Sequence, residues 1–462
     1  MLLVASPVTA WADEAQTEGS VIDEVRQLLQ DYHLSNVSDE QLIDAAIDGM
    51  IESLGDPYTS YMTDDEWHEY QDSIEQNIVG IGVRLSEDDN GVYAVDVFPD
   101  SPAYEAGILR GDYIIAINGR SALDKSTSEI VAMIAGEEHT DVKVTIFRSG
   151  SAMTFQMTRR SLNIPNVENK WLKDDGIGYI KLHTFSTDAD ELFEEYMTKM
   201  KVSGLQGLVI DVRSNPGGYL DTVGYIVGEF LQDGNLMYTR DKDGFESPIT
   251  IMNGYKVDVP VAILIDEHSA SASEILAGAL QDHGLATVIG VRSFGKGSVQ
   301  SLLFLTSGGV LKTTVQEYLT PNRLPVDGVG ITPDIEVQGS VPQLLTAFRE
   351  VGLTALTIQA NSRELLINGV NFSDRLPFIH QDDSVYVHSR VLGALMGMQV
   401  TWDPVNGQVV FVGDAGQYTF PVQSPDVIQQ TGMTLIELSS FAKQAQGFSW
   451  GYDEGELTMS IQ

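Results

Sequence analysis

Two runs of nearly unbroken apolar residues constrain this chain more than any other feature. They are Gly207-Leu208-Val209-Ile210-Asp211-Val212 and Pro260-Val261-Ala262-Ile263-Leu264-Ile265-Asp266. Neither alternates with polar residues, so each reads as a strand buried on both faces, the pattern of a sheet covered by helices. Helical periodicity surrounds them: Asp188–Met200 before the first run, Leu220–Phe230 between them, and a helix reaching Asp282 after the second. With further strands at Ile177–Leu182 and Thr287–Gly290, residues 170–337 are predicted to form an α/β core.

In such a sheet the loops that follow the strands gather at the carboxyl edge, where ligands bind. Ser269-Ala270-Ser271-Ala272-Ser273 holds only small residues and leads into a helix whose first N–H groups lack helical partners. Arg213-Ser214-Asn215-Pro216-Gly217-Gly218 follows the other strand and offers more N–H donors. A nucleophilic serine needs a base and donors for an oxyanion, and both loops suit the donor role. Lys296, between Gly295 and Gly297 and next but one to Phe294, is a candidate base, because desolvation makes an ammonium easier to deprotonate. Gln300 shares its face if the segment is helical. His183 is the rival base, with Asp211 as third member of a Ser-His-Asp arrangement. His268 lies too close to Ser271 in one tight loop to align with it. Structural readings stay open here: Lys296 as an ion-pair partner, Asp211 as a strand end bonding the next turn. No phosphate loop, dinucleotide fingerprint or His-Glu-x-x-His run occurs, and the histidines lack metal-ligand spacing, so no cofactor or metal is expected.

Composition narrows the partners. Of 462 residues, 66 are acidic and 27 basic, and the net charge of −39 argues against nucleic acid and against anionic membrane surfaces. With no cysteine, disulfides, thiolate catalysis and zinc–thiolate sites are excluded. Met1–Ala12 is uncharged and ends in Ala-Trp-Ala, like the apolar part and cleavage site of a secretory signal without its basic start. Residues 1–12 are therefore expected to be a signal-peptide remnant, and the protein extracytoplasmic, secreted or held at the cell surface. Residues 20–75 read as helical, with apolar stripes at Val21, Val25, Leu28 and Leu29 and at Leu42, Ala45, Met50 and Leu54 that suit packing or a homo-oligomer contact. From Val79 the period shortens. An alternating strand at Val92–Val97, a capped helix over Ser101–Gly107 and a strand at Tyr113–Ile117 closed by Asn118-Gly119 lead to a helix at Thr127–Ala135 and two more strands. Beyond 357, Trp402 and Trp450 repeat 48 positions apart, as do Gly407 and Gly455. Helical segments at Ser389–Met396 and Ser439–Gln446 precede them, so two stacked helix–hairpin units are expected.

Several of these motifs are familiar together. Residues 76–160, through Ser101-Pro102-Ala103, Ala106-Gly107, Gly111-Asp112 and Ile117-Asn118-Gly119, resemble a PDZ domain of the bacterial protease type. The resemblance implies that Val79-Gly80-Ile81-Gly82 binds a terminal carboxylate with converging N–H groups, and that a peptide adds as a strand beside Ile81 and Val83. Ile130 and Ile134 read equally as pocket walls or as core. Leu54-Gly55-Asp56-Pro57-Tyr58-Thr59, Arg213–Gly218, Ser269–Ile275, Ser293-Phe294-Gly295-Lys296-Gly297-Ser298-Val299-Gln300 and Gly328–Ile335 closely resemble the carboxy-terminal processing (tail-specific) proteases, in that family's domain order across residues 20–350. The resemblance implies Ser271 as nucleophile, Lys296 as general base, Gln300 as its orienting partner, and the N–H groups of Gly217 and Ala272 as oxyanion hole. It also implies a ClpP/crotonase-like α/β protease core over 161–350 with an inserted PDZ domain, acting as a serine endopeptidase on proteins or peptides with free C-termini, gated by peptide at the PDZ domain. Residues 357–462 resemble the domain first named from the N-terminal region of copper amine oxidases, with Tyr386-Val387-His388-Ser389-Arg390 in place of its usual run. That name implies no copper, and a cell-wall or protein partner is the expectation for this α+β repeat. A catalytically silent peptide-binding scaffold is the alternative from another class.

Overall fold

The structure, a computed structural model, describes residues 19–461 apart from residues 76, 89, 149, 362, 415 and 431; the expected signal-peptide remnant lies outside the described residues. The chain forms two compact units, one of residues up to 68 with 299–315, the other of residues 69–298 with 316–462.

In the first unit, helix Asp39–Glu52 starts at a capping box. Ser38 Oγ accepts from the Gln41 N–H (3.2 Å) while Gln41 Oε1 accepts from the Ser38 N–H (3.1 Å). After Gly55, which is left-handed at φ 62°, the Asp56 carboxylate accepts from the Tyr58 N–H (2.9 Å) and the Thr59 hydroxyl (2.5 Å). Thr59 Oγ1 accepts in turn from the Thr314 N–H (3.1 Å). The Gly-Asp-Pro-Tyr-Thr run is thus a turn that seats strand Ser60–Met62 antiparallel on the first half of Val310–Leu319, Ser60 opposite Lys312. Residues 299–315 lie within the expected core of 161–350 and pack in one compact unit with the N-terminal region through this long-range pairing. Val21, Val25 and Leu28 keep about half of their surface exposed, so the apolar stripe of helix Gly19–Tyr32 is not covered by the described residues.

In the second unit, residues 83–158 make a six-stranded sheet, five strands in the order Val83–Asp88, Gly91–Val97, Tyr113–Ile117, Asp141–Arg148, Ser151–Thr158 and the short Arg120–Ser121 paired beside Tyr113–Ile117. Its core includes Ile81, Ala94, Ile108, Ile117, Val142 and Ile146. Ile130 and Ile134, 0% and 8% exposed, belong to that core rather than to the walls of an open pocket. Beyond it lies the larger sheet, in the order Val167–Leu172, Ile177–Leu182, Gly207–Asp211, Val261–Ile265, Thr287–Gly290, Ile335–Glu336. The first pair is antiparallel and the rest parallel. The two apolar runs supply its central strands, and every residue of Gly207–Asp211 and of Val261–Ile265 is buried.

The C-terminal repeat is present as expected in outline. Ser384–His388 and Met433–Glu437 pair antiparallel, each runs directly into a helix (Ser389–Met396, Leu438–Gln444), and each helix leads to a hairpin. This region does not hang from the large sheet as a separate bead. Tyr179, Val209 and Leu264 of the large sheet, Leu344 and Phe348 of helix Ser340–Glu350, and Phe372, Phe411 and Met459 share one continuous hydrophobic core. Tyr179 and Phe372 meet edge to face at 5.2 Å. Strand Leu356–Ala360, which opens the region, pairs with Glu456–Ile461, which closes it.

Candidate active site

The strand Val261–Ile265 delivers its chain to a loop whose three serines face different ways. Ser269 is fully buried; its hydroxyl donates to Val212 O (2.8 Å) and accepts from the Asp266 N–H (2.9 Å). Ser273 is also buried and donates to Asn215 O (2.9 Å). Both tie this loop to the loop after strand Gly207–Asp211. Ser271 alone of the three is half-buried rather than enclosed, and it stands at the N-terminus of helix Ala272–Asp282. Its backbone, at φ 56° and ψ −115°, lies in a region non-glycine residues rarely occupy, a cost of about 1–3 kcal/mol that surrounding structure must hold. Such a sharp strand-to-helix turn is how a nucleophile is lifted clear of a sheet edge.

Gly217 lies directly against it. A Cβ built on Gly217 would stand 2.8 Å from Ser271 Cβ and 3.1 Å from Ala272 N, and its φ of 111° is one that side chains avoid. Its carbonyl accepts from the Phe185 N–H (2.9 Å) and the Thr184 hydroxyl (3.1 Å). Its own N–H donates to Asn215 Oδ1 (2.9 Å), so in this state that donor is occupied. Ala272, the first helical residue, carries an N–H beyond the reach of the helix's own carbonyls.

The loop that bears Lys296 approaches the same turn from another direction. Residues 292–297 are loop and Ser298–Phe304 is strand, so the helix that would put Gln300 on the face of Lys296 does not form. The loop is held by close backbone approach instead: a Cβ at Gly297 would lie 2.1 Å from Asp327 N, and one at Gly295 3.1 Å from Gly330 N. Lys296 is half-buried between these two buried glycines. Its N–H donates to Glu274 Oε2 (2.8 Å), the oxygen that also accepts the Ser271 N–H (2.9 Å). Gln300 lies in the first unit, where its amide donates to Thr314 Oγ1 (3.3 Å).

The rival triad is not assembled. The largely buried His183 ring bonds Glu168 (2.7 Å), and burial pulls its pKa down to about 4, partly offset by that bond. Asp211 belongs to a different cluster, accepting from Tyr179 Oη (2.7 Å) and from the buried Arg213 guanidinium (2.6 Å). Burial alone would push the Asp211 carboxyl up; the adjacent guanidinium reverses this and holds it well below the usual range. Arg213 is also bonded to Ser340 O (2.9 Å) and lies 3.4 Å from Asp374 of the C-terminal region. His268 is exposed. Of the two remaining histidines with a notable place, His388 caps helix Ser389–Met396 by accepting the Arg390 N–H (3.1 Å), and His380 packs on the Tyr452 ring.

In the PDZ-like domain, Val79 and Gly80 are strand, paired with Ser161 and Arg160, and the turn proper is Ile81-Gly82. Both turn carbonyls are tied inward: Ile81 O accepts from the Ala103 N–H (2.9 Å) and Gly82 O from the Phe98 N–H (3.0 Å). A Cβ on Gly82 would meet Ser101 Cβ at 2.2 Å, so only glycine fits. Val83–Asp88 is an edge strand of its sheet, the place where a further strand can pair.

Comparison with known proteins gives the family. Peptidase family S41 matches residues 176–337, a PDZ domain matches 93–148, and the activating protease CtpB N-terminal domain matches 8–66. The carboxy-terminal processing protease CtpB of Bacillus subtilis is 34% identical over 340 residues, covering 72% of this chain and 71% of that protein. A carboxy-terminal-processing protease of Bartonella bacilliformis is 34% identical over 336 residues, 70% and 75% of the two chains. The solved photosystem II D1 C-terminal processing protease aligns at 23% identity and a TM-score of 0.49, over 73% of this chain and 98% of that one.

Proposed function

The chain belongs to peptidase family S41, as a serine-type C-terminal processing protease with a PDZ domain, and from that premise we propose that Ser271 and Lys296 are its catalytic dyad. The observation that carries the assignment is the convergence of both residues' N–H groups on one oxygen of Glu274. Ser271 Oγ attacks the scissile carbonyl carbon as the Lys296 amine takes its proton, giving a tetrahedral oxyanion. Lys296 returns the proton to the departing amine, leaving an ester on Ser271. Water then attacks that ester, giving its proton to Lys296, and the released serine recovers it. The N–H groups of Gly217 and Ala272 face the oxyanion, with Gln300 as the orienting partner of the lysine by likeness to the family motif. Because the Gly217 N–H rests on Asn215 Oδ1 in the free chain, that bond must be shared or surrendered as the oxyanion forms.

The PDZ domain binds the C-termini of peptide substrates, with the Ile81-Gly82 turn and its neighbours Val79, Gly80 and Val83 as the carboxylate site, and a bound peptide gates the dyad. The exposed apolar stripe of helix Gly19–Tyr32 supports self-association. The apolar Met1–Ala12 run supports an extracytoplasmic location. We read residues 357–462 as a copper amine oxidase N-terminal-like domain open to a protein or cell-wall partner, on the strength of the paired helix–hairpin units.

The test is digestion of fluorescein-labelled β-casein. Ser271→Ala and Lys296→Ala should each lower turnover by about three orders of magnitude or more, while His183→Ala retains it. Loss of activity in His183→Ala with Lys296→Ala unimpaired at equal melting temperature would return the case to the triad.

A further inference from the structure

Glu274 is 1% exposed, yet its carboxylate is among the most engaged groups of the second unit. Oε2 accepts from the Ser271 N–H (2.9 Å) and the Lys296 N–H (2.8 Å). Oε1 accepts from the Gly295 N–H (2.7 Å) and the Ser293 hydroxyl (2.6 Å). Ser293 Oγ in turn accepts from the Ile331 N–H (2.6 Å). One buried side chain therefore ties the turn bearing the nucleophile to the loop bearing the base, and through Ser293 to the Gly328–Ile335 run.

The arrangement exceeds what capping a helix requires. A capping carboxylate serves the N-cap residue of its own helix; here three of the four donors come from a loop some twenty residues away. A carboxylate taken out of water must be compensated by strong hydrogen bonds, and four donors on two oxygens do so. They also fix the Ser271 peptide, held at its other end by the Tyr318 hydroxyl donating to Ser271 O (3.2 Å). Ser271 and Lys296 sit on separate loops that also share one main-chain bond, from the Phe294 N–H to Ser269 O (3.0 Å), but only the Glu274 carboxylate grips the two residues themselves. A misplacement of about 1 Å between reacting groups costs on the order of 10²-fold in rate.

We propose that Glu274 is a positioning residue of the dyad, one that sets the register of nucleophile and base by gripping both main chains on a single carboxylate. This rests on the Ser271–Lys296 reading. Its effect falls on kcat: the groups that bind peptide are elsewhere, so KM stays near that of the parent. Glu274→Ala removes the grip. Glu274→Gln keeps the volume but has one oxygen for two sets of donors, so its NH2 faces a backbone N–H on one side or the other.

The experiment compares Glu274→Ala, Glu274→Gln, Ser293→Ala and Ser271→Ala in the full chain, measuring kcat and KM on labelled β-casein, the rate of labelling by a fluorophosphonate, and melting temperature. Expected are losses in kcat of about 10²-fold or more for Glu274→Ala and roughly 10-fold for Glu274→Gln, with KM within about threefold and labelling slowed in parallel. Ser293→Ala, removing one of four donors, falls between Glu274→Gln and the parent. If Glu274→Ala does not fold, Glu274→Gln decides. A folded Glu274 variant with kcat within about threefold of the parent overturns the proposal, as does a rise in KM alone. Normal turnover per molecule labelled by the fluorophosphonate, with only fewer molecules labelled, also overturns it. Residual turnover in Ser271→Ala would overturn the dyad itself, a failure distinct from an insensitive Glu274 beside an inactive Ser271→Ala.

Discussion

Ser269, Ser271 and Ser273 show how far residue chemistry can be read from a string of letters. The run marks a nucleophile-bearing loop by its small residues, and the structure separates the three hydroxyls by function: two bind the neighbouring loop and one is left at a strained helix start. Glu274 stands in that run as the fourth residue of a Ser-x-x-Glu capping signature, but its bonds to residues 293–296 depend on a long-range approach that no local pattern encodes. The pairing of His183 with Glu168 rather than Asp211 is hidden for the same reason. It has a measurable consequence. Burial draws both His183 and His388 down to about 4, whereas histidine in an unfolded chain takes a proton near 6.5. Between those values the unfolded chain binds protons that the folded chain refuses, so stability is retained above pH 6.5 and lost as pH falls toward 4. Urea unfolding from pH 7.5 to 4.5 should show the midpoint fall across that window, and His183→Gln should flatten the fall. An unchanged slope in that variant would mean the loss arises elsewhere.

Among elements, strands and helices of the core lie close to where periodicity puts them: the helix expected at Asp188–Met200 spans Ala189–Val202, and that at Ser389–Met396 matches at both ends. The segment around Lys296 departs from expectation because its conformation is set from outside. Gly297 is there so that one loop can lie against Asp327, and Gly295 combines a left-handed φ of 89° with a close approach to residues 328–330. Gly297→Ala forces a methyl group to 2.1 Å from the Asp327 nitrogen, a backbone atom that cannot rotate away. The two loops must separate, at a cost of about 1–3 kcal/mol, and Lys296 moves with them. The expected result is a lower denaturation midpoint together with at least a 10-fold loss of turnover, whereas Gly308→Ala, on the hairpin turn of the first unit, should spare turnover.

On the scale of the molecule, the order of domains is legible in the sequence and their fusion is not. Repeat period and turn residues identify the helix–hairpin units beyond residue 357, but nothing in them says that Phe372 packs on Tyr179, or that Asp374 faces Arg213 in the loop that carries Gly217. A chain cut after residue 353 exposes the apolar side of the large sheet and of helix Ser340–Glu350 and leaves Arg213 without one of its carboxylate neighbours. We expect that fragment to lose cooperative unfolding in calorimetry and to be digested rapidly by trypsin; an active, protease-resistant fragment would show the C-terminal region to be dispensable.

The pairing of Leu356–Ala360 with Glu456–Ile461 also bears on the order of events during synthesis. Leu457 and Met459 belong to the core that backs the large sheet, so the catalytic edge cannot be braced until that late strand has left the ribosome. A nascent chain of this design leaves that face of the sheet unsupported until residues 456–461 have been made.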